Sequence, residues 1–258
     1  MIFQHLLPDQ TIKLLVKSIL VFEETDAQQK TVLPFFADGH PGLIFHKTEH
    51  GLVVSPHDKQ MPPFFLYGQT IKPIELVMQG SYQLIIFQLY PFVLKSFFNV
   101  DPKSVNDNCY DLRLLETDDV NQTIQRLQSA GESEDRVHSI NAFLHRLFQH
   151  KKETLDFKIR QAIQLIIDNK GQTSISQLCE TLKLNQRTFE RRFAASAGVP
   201  AKQFSTIIQF QQSLEQLTVK DYRKLTDIVY ANGFADQSHF IKVFKAFTGK
   251  TPKAFSKA

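Results

Sequence analysis

The apolar positions of residues 174–193 recur with a helical period that is interrupted once, near residues 183–185. The positions of this stripe are Ile175, Leu178, Leu182, Phe189 and Phe193. Asn185 is placed to cap the helix that follows the break, and Gly198 with Pro200 marks its end. The pattern therefore predicts two short helices that meet at a tight turn.

A second segment, residues 225–245, repeats this layout. Its inward positions are Ile228, Val229, Phe240 and Phe244. Gly233 ends the short first helix because glycine adopts positive φ without a steric penalty, and Asp236 is placed to cap the next helix. Residues 200–217 carry an unbroken helical pattern. The sequence thus predicts two helix-turn-helix units joined by one long, rigid helix.

The first 115 residues have a different pattern, in which short apolar or alternating runs are separated by glycine and proline. The runs that predict strands are 42–45, 51–54, 64–67, 74–78 and 82–89. The segments that predict helices are 91–98, 120–127 and, most clearly, 133–149. We expect an α+β chain: a β-rich domain with C-terminal helices over residues 1–150, a boundary at 150–154, and an all-α domain over residues 155–258.

Charge divides the chain at the same place. Residues 151–258 contain 18 Lys and Arg against 9 Asp and Glu, whereas residues 1–150 contain 12 against 17, so the net charges are +9 and −5. A cationic module attached to an anionic one is typical of a DNA-binding domain joined to a domain with another role, because contacts with phosphate release condensed counterions.

The outward positions of the two predicted second helices carry the candidate DNA contacts. They are Gln186, Arg187, Glu190 and Arg191 in the first unit and Gln237, Ser238, His239 and Lys242 in the second, with Lys245 as a phosphate contact. Arg187 or Arg191 can form a bidentate pair with a guanine, and Gln237 can pair with an adenine. Glu190 either accepts a hydrogen bond from a cytosine amino group or braces a neighbouring arginine.

His239 has two open roles in this scheme, a contact with phosphate or a local cap of its own helix. Lys242 is a weaker base reader than an arginine because an ammonium offers a point charge without a planar fork.

The same region carries a family motif. It reads Gly233-Phe234, Ser238-His239-Phe240, Phe244-Lys245 and Gly249-Lys-Thr-Pro252, and the first unit contributes Thr188 to Phe193. In these residues the last two-fifths of the chain resemble the DNA-binding domain of the AraC/XylS transcriptional regulators. The resemblance implies that double-stranded DNA is the partner and that each recognition helix enters one of two successive major grooves. It also implies transcriptional activation more than repression, with RNA polymerase as a further partner.

The N-terminal half more loosely resembles the β-rich sensor domain of one branch of these regulators, through residues 37–45, 67–70 and 87–92. The resemblance implies either binding of a small-molecule effector or formation of a homodimer, and it does not choose between them. The alternative is a constitutive dimer, without a ligand, that associates through the helix predicted at 133–149.

One pentapeptide, His46-Lys-Thr-Glu49-His50, matches the His-x-x-Glu-His pattern of inverted zinc proteases. That chemistry needs a helix, whereas the flanking runs predict a strand, a turn and a strand. A hydrolase fused to a DNA reader is thus an alternative in a different class, and a metal-binding sensor that uses His40, His46, His50 or His57 is another. We expect these histidines to be exposed in loops, and we predict no enzyme activity, cofactor or metal.

The remaining signals concern the compartment. Cys109 and Cys179 lie far apart in different predicted domains, which is typical of unpaired cysteines in a reducing cytoplasm. Lys13 and Lys17 interrupt the apolar run near the N-terminus, and no apolar run approaches the length of a membrane span. We therefore expect a cytoplasmic protein that does not bind membranes.

Overall fold

The computed structural model describes residues 1–26, 28–151 and 155–256. Within these ranges the N-terminal part forms two facing antiparallel sheets. The strands are β1 (Ile2–Leu6), β2 (Val16–Glu24), β3 (Lys30–Phe35), β4 (Gly42–Thr48), β5 (Leu52–Ser55), β6 (Lys59–Gln60), β7 (Phe64–Tyr67), β8 (Ile74–Gln79), β9 (Tyr82–Leu89) and β10 (Cys109–Asp111). The larger sheet has the order β1-β2-β9-β4-β7-β10 and the smaller one β3-β8-β5-β6.

The central strands of the larger sheet are buried on both faces. Alternate residues of β9 enter different cores: Phe87 faces a core shared with the helices, and Ile86 faces the smaller sheet. In β7, Leu66 likewise faces the core shared with the helices, and Phe65 faces the smaller sheet. This two-sided burial explains why these strands have nearly continuous apolar sequences.

Nine α-helices lie in the described ranges. They are α1 (Asp118–Ser129), α2 (Ser133–Lys151), α3 (Phe157–Asp168), α4 (Ile175–Leu182), α5 (Gln186–Ala197), α6 (Ala201–Thr218), α7 (Leu225–Ala231), α8 (Gln237–Thr248) and α9 (Pro252–Phe255). Helix α2 packs on the larger sheet, where the ring of Phe143 lies 6.2 Å from those of Phe64 and Phe98. None of these helices is both long and apolar enough to cross a bilayer.

The predicted fold class and both helix-turn-helix units are confirmed, as is the single connecting helix, which is α6. The five predicted strands are also present, with small changes at their ends. The sequence analysis did not predict strands β1, β2, β3, β6 and β10 or helices α3 and α9. Segment 91–98 contains only a short π-helical turn at Leu94–Phe98. Cys109 and Cys179 are free and partly buried.

The hydrophobic core does not divide where the sequence predicts a domain boundary. Phe97 and Phe98 of the N-terminal part belong to the same buried cluster as Phe189 and Phe193 of α5. Ala37, in the loop after β3, belongs to the cluster that fills the second helix-turn-helix unit. The predicted boundary itself falls largely on residues 152–154, outside the described ranges.

Candidate nucleic-acid interface

Side-chain caps fix both recognition helices. The Oδ1 atom of Asn185 accepts a hydrogen bond from the backbone N–H of Thr188 at 2.8 Å, which starts α5. The Oδ1 atom of Asp236 accepts from the backbone N–H of His239 at 2.7 Å, which starts α8. Both caps are confirmed as predicted, and each satisfies a helix N–H that has no partner within the helix.

The helices end where the sequence places glycine. Gly198 follows α5 with φ of +77° and Gly249 follows α8 with φ of +74°. Gly233, one residue beyond Asn232 at the end of α7, has φ of +70° as predicted. The helices end at these positions because the backbone turns to a left-handed conformation, which glycine adopts without the steric strain that a Cβ atom causes.

Buried phenylalanines set the rotation of each recognition helix. Phe189, Phe193, Phe240 and Phe244 are all 0% exposed. The rings of Phe189 and Phe193 lie 5.6 Å apart, and those of Phe240 and Phe244 lie 5.7 Å apart. Since residues four apart share a helix face, these pairs turn the opposite faces of α5 and α8 outward.

All the sequence-predicted contact residues lie on those outward faces. The exposed side chains are Gln186, Arg187, Glu190, Arg191, Gln237, Ser238, His239, Lys242 and Lys245. Within the described part of the chain, no ion pair involves Arg187, Arg191, Lys242 or Lys245. No carboxylate in the described part of the chain therefore neutralises these charges, and they are available to bind a polyanion.

Two side chains have local partners that the sequence did not indicate. Glu190 accepts a hydrogen bond from Nε2 of Gln186 at 2.9 Å, one helical turn earlier, so its partner is an amide and not an arginine. The ring of His239 packs edge-on against Phe234 at 5.7 Å, and only its backbone amide takes part in the cap. The ring of His239 therefore does not cap α8.

Arg192 positions α5 through a contact that sequence reasoning missed. Its Nε and Nη2 atoms donate to Asp156 at 2.8 Å and 2.5 Å. Asp156 also accepts from the backbone N–H of Ile159 and so caps α3. The hydrogen bonds to Asp156 raise the pKa of Arg192. This bidentate pair ties α5 to the start of α3, and no local sequence pattern indicates a partner 36 residues away.

The expectation of exposed histidines is wrong for two of them. His40 and His46 are 1% and 6% exposed. The Nδ1 atom of His40 lies 3.2 Å from the carbonyl of Leu89, and Nε2 of His46 lies 3.0 Å from that of Pro62. These strand and loop carbonyls replace the water that an exposed ring would have.

The pentapeptide at 46–50 has the predicted strand-turn conformation. His46 lies within β4, whereas Glu49 and His50 follow its end and are exposed. No group of three or more His, Cys, Asp or Glu side chains in the described ranges is arranged to hold a metal ion.

The buried ring of His40 makes the stability of the protein depend on pH. Burial, and then the charge of Lys17, lower its pKa from 6.5 to about 3. The neutral ring is thus favoured in the folded chain, while the unfolded chain takes up a proton as the pH falls below 6.5. Above pH 6.5 the titration of His40 does not change the free energy of unfolding. Below it, the free energy of unfolding decreases towards pH 3 by up to about 1.4 kcal/mol per pH unit.

His40→Asn should therefore have a flatter dependence of unfolding free energy on pH than the wild type between about pH 7 and pH 5. Urea titrations of both proteins measure the difference. Burial raises the pKa of Asp38 to about 6, which acts in the opposite direction, but Asp38 is common to both proteins and largely cancels. Parallel curves for the two proteins would contradict the assignment of a neutral, buried His40.

Relatives share parts of this chain. The "Uncharacterized HTH-type transcriptional regulator SAR0107" of Staphylococcus aureus (strain MRSA252) is 25% identical over 167 residues, which are 62% of this chain and 22% of that protein. The "HTH-type transcriptional activator RhaS" of Yersinia pestis (strain Pestoides F) is 30% identical over 77 residues, which are 30% of this chain and 28% of RhaS. The chain thus spans about a fifth of the length of the staphylococcal relative.

Among solved structures, ToxT from Vibrio cholerae O395 aligns over 99% of this chain and 97% of its own, with 13% identity and a TM-score of 0.46. Two families match separate parts of the sequence. Residues 4–111 match a family described as "Domain of unknown function (DUF6597)", and residues 178–258 match one described as "Helix-turn-helix domain".

Two capped helices, each set on a buried aromatic pair and each with an exposed polar and cationic face, define a tandem helix-turn-helix protein of the DNA-binding class. The C-terminal part of the chain therefore carries a helix-turn-helix domain of the AraC type.

Proposed function

We propose that this protein is a sequence-specific transcriptional regulator, most simply an activator, that reads two successive major grooves of double-stranded DNA with α5 and α8. The observation that carries the proposal is the pair of exposed recognition faces on buried aromatic anchors. In the first groove Arg187 and Arg191 read base edges, flanked by Gln186 and Glu190. In the second groove Gln237, Ser238, His239 and Lys242 face the bases, and Lys245 contacts phosphate.

Charge supports this assignment, because the cationic half of the chain is the half that carries both recognition helices. Each phosphate that a lysine or arginine neutralises releases counterion, so affinity should fall steeply as the salt concentration rises. The proposal places the protein in the cytoplasm, where it acts beside RNA polymerase at the promoter. The name of the RhaS relative, an activator, supports activation as the sign of regulation.

The N-terminal part supports a second element of the proposal, control by a small apolar effector. A cavity of about 180 Å³ lies between the two sheets. Apolar side chains that line it include Phe35, Ile44, Val54, Phe65, Ile74 and Leu76. Polar side chains, among them Lys59 and Asn108, also line the cavity. The ammonium of Lys59 donates a hydrogen bond to the side-chain oxygen of Asn108. An apolar cavity with a few polar groups is the usual form of a small-molecule site.

A homodimer is compatible with this function, but the apolar face of α2 is not free to form it. Val137, Ile140, Phe143 and Leu144 are buried against the protein's own sheet and helices. A dimer that used α2 would have to use its polar face.

The experiment that tests DNA reading is selection of bound duplexes from a random pool with the full chain at two salt concentrations. We expect a motif with two elements about one helical turn apart. Binding that weakens with salt and enriches no motif would contradict sequence-specific reading, while leaving general affinity for DNA.

Arg191→Ala should relax base preference at one position of the selected motif, with a loss of discrimination of about 1–3 kcal/mol. Lys245→Ala is the matched control, because loss of a phosphate contact should weaken all sequences alike and lower the salt slope by about one unit. Titration of the motif and of each single-base variant measures both. A uniform loss with Arg191→Ala would assign that side chain to the DNA backbone.

A further inference from the structure

A single short segment runs from the N-terminal cavity into the second helix-turn-helix unit. Residues 35–39, which we term the strap, begin at the end of β3 and continue into the loop that precedes β4. Consecutive strap residues contact different parts of the molecule, and each contact can be traced separately.

The first strap residue belongs to the cavity. The ring of Phe35 lines the cavity and packs edge-on against the ring of Tyr67, with centroids 5.2 Å apart. Tyr67 lines the same cavity from β7. A change in what fills the cavity therefore acts directly on the position of Phe35.

The next two strap residues belong to the second reading unit. The ring of Phe36 packs edge-on against that of Phe255 in α9 at 5.9 Å. Ala37 is 1% exposed and is part of the buried cluster that contains Phe244 of α8. The backbone carbonyl of Ala37 accepts a hydrogen bond from Nε2 of Gln211 in α6. The core of the second unit is therefore completed by residues from the N-terminal part.

The last two strap residues fix the strap in place. The carboxylate of Asp38 accepts from the backbone N–H of His40 at 2.8 Å and from Nε2 of Gln88 in β9 at 2.5 Å. Gly39 has φ of +80°, and a Cβ atom there would lie 2.8 Å from Cδ1 of Ile208 in α6. The strap thus has a single close-packed path between the sheet and the connecting helix.

The first unit is held by a different contact. The side-chain amide of Asn106 donates to the carbonyl of Gly198, at the end of α5, at 2.8 Å, and its Oδ1 accepts from the backbone N–H of Gln69 at 2.9 Å. Movement of the strap would therefore act on α6 and on the second unit, at points other than the Asn106 contact that holds the end of α5. The angle between the two reading helices is the quantity that such a shift changes.

We propose that the strap couples the contents of the cavity to the relative placement of the two reading units, and so to the affinity for DNA that carries both elements. The proposal rests on the proposed function and adds its route of regulation. Affinity for one element alone depends on one helix and is independent of the strap. Affinity for the paired elements requires both helices in register, so it depends on the strap.

The test uses variants of the full chain in which a single substitution removes one contact of the strap. Phe35→Ala removes the cavity contact, and Gln211→Ala removes the bond to the Ala37 carbonyl. Affinities are measured for the selected two-element duplex and for duplexes with either element scrambled. Each variant should lower the ratio of two-element to one-element affinity about five- to tenfold. The double variant should lower it no further than the stronger single variant, because both changes break one connection.

Leu52→Ala is the matched control. Leu52 of β5 is 0% exposed and belongs to the core between the sheets, but it neither lines the cavity nor belongs to the strap. This variant should destabilise the protein and leave the affinity ratio unchanged. A Phe35→Ala variant that behaves like Leu52→Ala, or effects of Phe35→Ala and Gln211→Ala that multiply in the double variant, would overturn the coupling.

Hydrogen exchange separates failure of the coupling from failure of the proposed function. If the wild type prefers no DNA sequence, DNA reading is refuted, but the strap can still be tested on the free protein. Phe35→Ala should then speed amide exchange in α7 and α8 more than Leu52→Ala does. Equal exchange in the two variants would overturn the mechanical link itself.

Discussion

Phe244→Ala is expected to lower the free energy of unfolding by about 3–5 kcal/mol. The side chain is 0% exposed, and its ring lies within 5.7 Å of three others, those of Phe210, Phe240 and Phe255. Truncation would leave a cavity that these rings cannot close without leaving their own contacts, and each aromatic pair contributes beyond its buried area. Urea denaturation followed by far-ultraviolet circular dichroism measures the loss.

The control for this prediction is Tyr230→Ala. Tyr230 lies on α7 in the same unit, but it is 76% exposed, so its truncation should change stability by no more than about 0.5 kcal/mol. A loss below about 1 kcal/mol for Phe244→Ala would mean that this phenylalanine is not a core residue. Because Ala37 shares the cluster, the loss should also raise hydrogen exchange in the loop after β3.

The features that the sequence predicted well are those set by neighbours along the chain. Asn185 and Asp236 cap helices through bonds to residues three positions ahead, and Phe189 with Phe193 forms a pair four residues apart. Such contacts are encoded in a window of a few residues, so period and residue type are sufficient to find them. The outward positions of the candidate interface follow from the same periodicity.

The features that sequence reasoning missed depend on contacts between distant residues. Strand β2 pairs with β9, so Leu20 lies opposite Ile86, a partner far away in the sequence. The partner of Arg192 is 36 residues away, and Ala37 reaches α6, where Gln211 is 174 residues away in sequence. Periodicity carries no information on such pairings. The burial of His46 has the same origin, because its carbonyl partners lie in the segment before β7.

Arg136→Met is expected to lower the free energy of unfolding by about 3–5 kcal/mol, although it places an apolar side chain of similar length in a buried position. Arg136 is 0% exposed. Its Nε donates to the carbonyl of Leu127 and its Nη1 to that of Gly131, both at 3.0 Å. It also donates to the carbonyl of Ala130 and to Oε1 of Gln83, and the guanidinium lies 5.7 Å from the centre of the Phe45 ring.

The physical reason is that one guanidinium satisfies several acceptors at once. The carbonyls of Leu127, Ala130 and Gly131 lie at the end of α1 and just beyond it, where backbone carbonyls have no partner within a helix. Methionine cannot donate to any of them, so the buried carbonyl of Leu127 is left unpaired at a cost of about 1–3 kcal/mol, and the less buried carbonyls of Ala130 and Gly131 lose their bonds at a smaller cost each. Burial also lowers the pKa of Arg136, because removal of a charged guanidinium from water is unfavourable.

Arg126→Met is the control, because Arg126 lies on α1 with an exposed side chain. It should leave stability within about 0.5 kcal/mol of the wild type in the same urea titration. Arg136→Lys should be intermediate, since an ammonium keeps the charge but lacks the planar fork that reaches carbonyls on two sides. If Arg136→Met were as stable as the wild type, the end of α1 would have to find other donors. In that case apolar packing and the hydrogen bond from Ser133 to Glu23 of β2 would hold α2 to the larger sheet without the bond from Arg136 to Gln83 of β9.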